Sequence, residues 1–414
     1  MSQQNYLRRF VDDFLDETMP HLPAFMITGP RASGKTTTAL ERAASVLRLD
    51  EPAVADIFRD ELDRYLTRLD APILIDEWQY VPESLGAVKR AVDTHTGSGR
   101  FLITGSVRAR HMQNTWPGTG RFTPVKMYGL TQAERTGHLD AVSFIDHLFA
   151  GDLPHQTFDS APSTRDYLNL AAQGGFPESA VLPPSLLSRW HEGYIDELIT
   201  RDVAELAEIK QPRQMLDVLK AAALNTAGLP QTTTLMEASG ASRYVAEKYL
   251  SLLEELFIIE QVPAWQKNRL TRMVKTPKLH MVDTGLAMWL TETSPEAVEF
   301  DSGLRGRILE SFVLAQLRPL MALSSQSVRA LHFRDTNGDR EIDLILESRG
   351  GVTVGIEVKA SRRVSRRDAR HLEWFRDRMG TSFKAGVIFH TGDYAGEIAE
   401  RIWLLPICAI WDTL

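Results

Sequence analysis

Short, almost wholly apolar runs punctuate the first part of the chain at residues 24–28, 46–49, 73–75, 101–104 and 125–128, and most of the segments between them, 37–47 included, have helical composition. Runs of four or five apolar residues bounded by polar segments predict buried strands, and strands alternating with helices predict a parallel, doubly wound sheet. Beyond residue 135 the pattern becomes mainly helical. Residues 166–170 and 190–208 read as helices on either side of a Gly174-Gly175-Phe176-Pro177 turn, and 232–238 and 242–256 as two helices joined at Gly240. Ile258, Ile259 and Val262 then open a strand pair. The last part begins with an amphipathic helix at 306–317. Two alternating strands follow at 341–346 and 352–358, and the Gly350-Gly351 turn predicts that they form a hairpin. The expected fold class is α/β in three parts: a parallel-sheet domain at 1–135, a helical middle region at 136–290 and an α/β domain at 291–414.

Composition narrows the picture by exclusion. A chain of 414 residues exceeds one ordinary core, and its 43% hydrophobic and 24% charged residues are ordinary for globular domains. No run of eighteen uninterrupted apolar residues occurs, and Arg8, Arg9, Asp12, Asp13 and Asp16 fill the stretch where a signal core would lie, so a cytoplasmic protein without a membrane partner is expected. The single cysteine, Cys408, excludes an intrachain disulfide framework and any cysteine-based zinc cluster, and reads as a buried structural thiol. A net charge of −7 does not announce nucleic-acid binding by the whole molecule, so any such binding must come from local patches, of which two basic stretches are visible. One comprises Lys267, Arg269, Arg272, Lys275 and Lys278; the other comprises Lys359, Arg362, Arg363, Arg366, Arg367 and Arg370.

Candidate chemistry is concentrated in Gly29-Pro30-Arg31-Ala32-Ser33-Gly34-Lys35-Thr36, which follows the first predicted strand and opens a helix with Thr37. Glycines at 29 and 34 let the backbone curl so that its N–H groups face phosphate oxygens, and the helix N-terminus adds positive potential. In this arrangement Lys35 reaches the β- and γ-phosphates of ATP and the Thr36 hydroxyl ligates Mg²⁺. Ile73-Leu74-Ile75-Asp76-Glu77 places two carboxylates at the end of a buried strand, where Asp76 would hold the metal through water and Glu77 would activate the attacking water. Thr104, in Thr104-Gly105-Ser106, is a candidate γ-phosphate sensor. Arg121 is a candidate arginine finger for a neighbouring subunit, with a surface salt bridge as the alternative. This domain resembles the AAA-type ATPases of bacteria and archaea that carry Gly-Pro-Arg at the P-loop. The resemblance implies a core with an additional strand and a catalytic glutamate, and leaves oligomerisation open.

The helices at 232–238 and 242–256 with the strand pair after them resemble a winged helix-turn-helix. The second helix would expose Arg243, Glu247 and Lys248 together with Glu254 and Glu255, a mixture of signs that disfavours deep insertion into a major groove. A DNA reader and a nucleotide-responsive lid or protein-interaction module both remain open. In the last domain Glu310 lies among Ile308, Leu309, Phe312 and Val313; Asp343 faces away from Ile342, Leu344 and Leu346; and Glu357 and Lys359 share one strand face. A helical Glu, then Asp, then Glu-x-Lys on paired strands resembles the PD-(D/E)xK nuclease superfamily. The resemblance implies a restriction-endonuclease-like fold, with Asp343 and Glu357 as ligands of a second Mg²⁺ or Mn²⁺, Glu310 as the helical acid and Lys359 as the positioner of attacking water. Arg362 to Arg370 would then hold a DNA backbone. The whole architecture resembles a widespread group of prokaryotic ATP-binding proteins whose C-terminal region is catalogued as a domain of unknown function. Two functions are therefore expected: an ATP-regulated DNA-binding or DNA-cleaving ATPase, or a non-nucleolytic nucleotide switch that binds a protein or DNA.

Overall fold

In the computed structural model the chain divides into two compact units, Met1–Gly129 with Glu255–Phe257, and Leu130–Glu254 with Ile258–Leu414. The structure describes residues 6–94, 97–106, 120–203, 211–268, 272, 275–335 and 337–412.

The first unit is built on strands β1 (Ala24–Thr28), β2 (Ser45–Arg48), β3 (Ile73–Asp76), β4 (Phe101–Gly105) and β5 (Thr123–Lys126). They form one sheet in the order β2-β3-β4-β1-β5, with every neighbouring pair parallel. Alternate residues of the central strands feed two cores. Met26, Ile73, Ile75, Phe101 and Ile103 pack on one side, and Phe25, Ile27, Leu74, Leu102 and Val125 on the other. Both faces are therefore covered, which is why these strands read as continuous apolar runs. Two boundaries differ from expectation. The helix that opens at Lys35 ends at Leu40, because the N–H groups of Ala44 and Ser45 both donate to the Pro72 carbonyl and draw the chain into β2. β5 begins two residues before the apolar run, at Thr123.

The second unit contains a seven-stranded mixed sheet and a separate two-stranded one. Its strands are β6 (Gln156–Thr157), β7 (Ile259–Val262), β8 (Lys278–Met281), β9 (Arg329–Arg334), β10 (Glu341–Glu347), β11 (Thr353–Lys359), β12 (Phe383–His390), β13 (Tyr394–Ala399) and β14 (Ile402–Pro406). The larger sheet runs β6-β13-β14-β12-β11-β10-β9, with β11-β12 and β12-β14 parallel and the other pairs antiparallel. Residues from before 170 are part of this core: β6 pairs with β13, Phe144 packs on Phe389, and the Cys408 N–H donates to the Tyr167 hydroxyl at 2.9 Å. Helices Pro212–Leu224, Thr232–Ser239 and Arg243–Glu255 precede the antiparallel pair β7-β8.

Three expectations for this unit are corrected. The helix containing Glu310 extends over Ser302–Leu323 and is buried around most of its circumference from Ile308 to Leu320, so it is a core helix and not a one-faced amphipathic one. Glu255 is buried. The stretch from Lys267 to Lys278 is only partly a solvated basic patch: Lys267 and Lys275 are exposed, but Arg272 donates to both Glu347 oxygens at 2.6 and 2.8 Å, and Lys278 is 1% exposed. Arg269 and residues 204–208 lie outside the described residues.

Candidate functional site

Two groups of chemically capable residues emerge, one in each unit. In the first unit the P-loop, Asp76 and Thr104 all lie at the carboxyl ends of adjacent strands, because β4 sits between β3 and β1. The loop curls through left-handed conformations at Ala32 (φ 59°) and Gly34 (φ 91°). Gly29 is required by close approach, since a Cβ there would collide with the Met127 carbonyl. Lys35 is folded back, its Nζ donating to the carbonyls of Gly29 at 3.1 Å and Pro30 at 2.7 Å. Thr36 Oγ1 donates to Asp76 Oδ1 at 2.8 Å, and the buried Thr104 hydroxyl donates to the same oxygen. Glu77 follows Asp76 in a left-handed conformation (φ 53°), which turns its side chain out of the strand pattern. There Gln79 Nε2 donates to Glu77 Oε2 at 2.6 Å. Arg121 makes the surface pair, its Nε lying 2.5 Å from Asp93 Oδ1.

These residues fit a nucleotide and its metal. A hydroxyl and a carboxylate already converge at 2.8 Å, an ammonium rests on backbone carbonyls of the loop, and the fully buried Ser33 hydroxyl has no hydrogen-bond partner. A further support escaped the sequence reading. Arg9 is buried against the loop, and its guanidinium donates to the carbonyls of Ser33 at 3.0 Å and Tyr128 at 2.9 Å. The only sequence signal was an arginine at the mouth of a helix with an acidic first turn, Asp12 and Asp13.

In the second unit Glu310, Asp343, Glu357 and Lys359 do come together. The hairpin register pairs Leu344 with Ile356, which sets Asp343 opposite Glu357. Asp343 Oδ2 accepts the Val358 N–H at 2.8 Å, and Lys359 Nζ lies 2.6 Å from Glu357 Oε2. The sequence reading missed what else is present. Lys278, from β8, places its ammonium 2.8 Å from Glu310, 3.1 Å from Glu341 and 3.7 Å from Asp343. Burial alone would depress this lysine, but the summed attraction of Glu310, Asp343 and Glu341 raises its pKa. Glu310 is pushed up to about 8, first by burial and then by Asp343, against the pull of Lys278. Burial and then Glu357 raise Asp343, again opposed by Lys278. His280 shares the Lys278 face of β8 and bonds Ser311 at 3.1 Å, while burial pushes its pKa down. His371 Nδ1 is 3.6 Å from Glu357 Oε1, beyond hydrogen-bond range, and faces the Glu341 carbonyl at 2.8 Å instead. The available signal for Lys278 was its alternation with Leu279 and Met281 in a short apolar strand, where a lysine needs buried acids to be tolerated.

Comparison with known proteins finds three family models along the chain. Residues 21–136 match a family model described as an AAA domain, residues 164–297 a domain of unknown function (DUF8612), and residues 305–410 another (DUF4143). An uncharacterised protein of Mycobacterium tuberculosis and one of Mycobacterium bovis are each 26% identical over 365 residues, which cover 83% of this chain and 72% of theirs. An uncharacterised protein of Haemophilus influenzae is 25% identical over 51% of this chain and 50% of its own. The solved structure of a Walker-type ATPase of Pyrococcus abyssi aligns with 70% of this chain and 97% of its own at 16% identity and a TM-score of 0.40, too loose a likeness to bear on function. With its P-loop, its parallel five-stranded sheet and the AAA match, the N-terminal segment is a P-loop ATPase domain.

Proposed function

We propose that the protein is a Mg²⁺-dependent ATPase whose nucleotide cycle governs DNA binding by a nuclease-like C-terminal domain. The observation that carries the ATPase reading is the convergence of the Thr36 and Thr104 hydroxyls on one oxygen of Asp76, beside a P-loop whose lysine donates to the loop's own carbonyls. Lys35 exchanges those carbonyls for β- and γ-phosphate oxygens, the loop N–H groups of residue 29 and residues 31–36 cradle the phosphates around Pro30, and Thr37 extends the helix N-terminus beneath them. Thr36 and Asp76 hold the metal, which supplies charge neutralisation on the transferred phosphoryl group. Thr104 keeps Asp76 oriented. Glu77 orients the attacking water and takes its proton.

The DNA-binding reading is supported by a basic surface beside the acid cluster: Arg362, Arg363, Arg366, Arg367 and Arg370 are all exposed just beyond Lys359. The helices Thr232–Ser239 and Arg243–Glu255 with β7-β8 follow winged-helix order, and Tyr244 is 76% exposed there. ATP hydrolysis by wild type, Lys35→Ala and Glu77→Gln protein, with and without duplex and single-stranded DNA, tests the assignment. Lys35→Ala is expected to lose nucleotide binding, whereas Glu77→Gln keeps it and loses about 10²–10⁴ in turnover. Undiminished hydrolysis by Glu77→Gln, or a DNA affinity indifferent to ATP, would sink it. A non-nucleolytic switch that binds a protein is the second reading, favoured by the lysine that sits within the C-terminal acids.

A further inference from the structure

The acid cluster of the second unit has the residue types of a metal-dependent nuclease but a different occupant. Glu310 comes from the long helix Ser302–Leu323, Glu341 and Asp343 from β10, and Glu357 from β11. The space between the first three holds an ammonium at 2.8, 3.1 and 3.7 Å. Those are ion-pair distances, and the donor is a side chain with 1% exposure, so water does not compete for the carboxylates. A divalent ion would need the same oxygens at about 2.0–2.1 Å for Mg²⁺, with no second cation among them. The residues as folded therefore do not fit the metal that the nuclease resemblance implies.

Lys278 is also held in place from outside the cluster. β8 pairs with β7, the Leu279 N–H donates to the Gly228 carbonyl at 2.8 Å, and the loop before it is stitched to β9, with His332 N–H donating to the Pro263 carbonyl at 3.0 Å. Further along, Arg272 locks onto Glu347. The lysine and the acids come from separate stretches of the chain that the fold brings together. One oxygen of Glu357, 3% exposed, has no hydrogen-bond partner, which leaves acceptor capacity in the cluster that Lys359 does not use.

We propose that Lys278 is an internal cation standing in the metal position of the C-terminal site, so that these acids as folded take up no divalent ion. The proposal rests on the nuclease-like reading of the second unit.

The test is Mn²⁺ binding by the full chain without nucleotide, in an Asp76→Asn background that removes the first site, followed by calorimetry and by the paramagnetic signal of free Mn²⁺. The background protein with Lys278 intact is expected to bind no Mn²⁺. Lys278→Met is expected to gain one equivalent, and the gain is expected to disappear in Lys278→Met/Asp343→Asn. If Lys278→Met folds poorly alone, its refolding yield with Mn²⁺ against that with a chelator reads the same property, and Mn²⁺ should restore it. Binding to the Lys278-intact protein that is lost in Asp343→Asn overturns the proposal. So does a Lys278→Met protein that neither binds Mn²⁺ nor gains folding yield from it. ATP hydrolysis and DNA affinity are separate measurements, so failure here is distinguishable from failure of the proposed function.

Discussion

Glu310 shows how one buried side chain couples chemistry to stability. Its pKa lies at about 8 in the folded protein, above the ordinary carboxylate range near 4.3, because burial and then Asp343 disfavour its charge. The folded state therefore binds more protons than the unfolded one between those values, and the sign follows: the contribution is complete below about pH 4.3 and is lost as pH rises through 8. His332, pushed down to about 4 by burial and then by Lys278, acts oppositely and costs stability as pH falls below 6.5. Urea midpoints of wild type and Glu310→Gln between pH 5 and 9 isolate the glutamate. The wild type is expected to lose stability toward pH 9 relative to the variant, and parallel profiles would refute this. In the ATPase unit, Arg9→Ala removes two charge-assisted hydrogen bonds to carbonyls under the P-loop, at about 1.5–3 kcal/mol each. Nucleotide affinity should fall about tenfold or more in a titration with a fluorescent ATP analogue. Gln79→Ala frees the Glu77 carboxylate and should change kcat with little effect on KM, because Gln79 touches Glu77 and no residue of the P-loop.

At the scale of elements, the covering of β9 is the feature with the clearest energetic signature. β9 is the edge strand of the seven-stranded sheet, and an open edge invites pairing with another chain. Residues 263–265 occupy it, with the Trp265 N–H donating to the His332 carbonyl. Arg272 clamps that cover through Glu347, whose pKa is lowered because the guanidinium outweighs the effect of burial. Arg272→Ala leaves Glu347, 5% exposed in its side chain, without its main partner. The expected cost is about 3–5 kcal/mol, with light scattering that rises on storage. A loss under about 1 kcal/mol would mean that Arg329, 3.4 Å away, takes over. Elements with a single dominant signal were legible in the sequence. The P-loop strand, β3 with its terminal acids, and the β10-β11 hairpin follow from apolar runs and one glycine turn, and the register that brings Asp343 to Glu357 follows with them. The helix after Lys35 was read too long because the Pro72 carbonyl that captures Ala44 and Ser45 is distant in sequence. Lys278 was grouped with a local basic stretch for a similar reason. A lysine's burial depends on acids 32 to 65 residues away, and local periodicity carries no trace of them.

For the molecule as a whole, the second unit takes in the chain from Leu130 onward except Glu255–Phe257. Its sheet takes an edge strand from residues 156–157, its core takes Phe144 and Tyr167, and its acid cluster takes Lys278. A fragment of residues 291–414 therefore lacks an edge, part of its core and the cation among its acids. It is expected to be insoluble or to lack a cooperative thermal transition, whereas residues 130–414 should unfold in one transition. A well-folded 291–414 fragment would contradict this reading. Apolar periodicity showed where the strands lie, but it could not show that β6 crosses more than 200 residues of chain to pair with β13, because such pairing is decided by the assembled sheet.

The lone thiol has a practical consequence. Cys408 is fully buried, its pKa is raised to about 11 by burial, and its backbone is pinned by Tyr167, so maleimide reagents should ignore it in the native protein. With no other cysteine in the chain, any surface position changed to cysteine becomes a unique attachment point for a dye or spin label. A pair of such labels, one on each unit, can report in real time whether ATP moves the two units against each other, with the native thiol left in place.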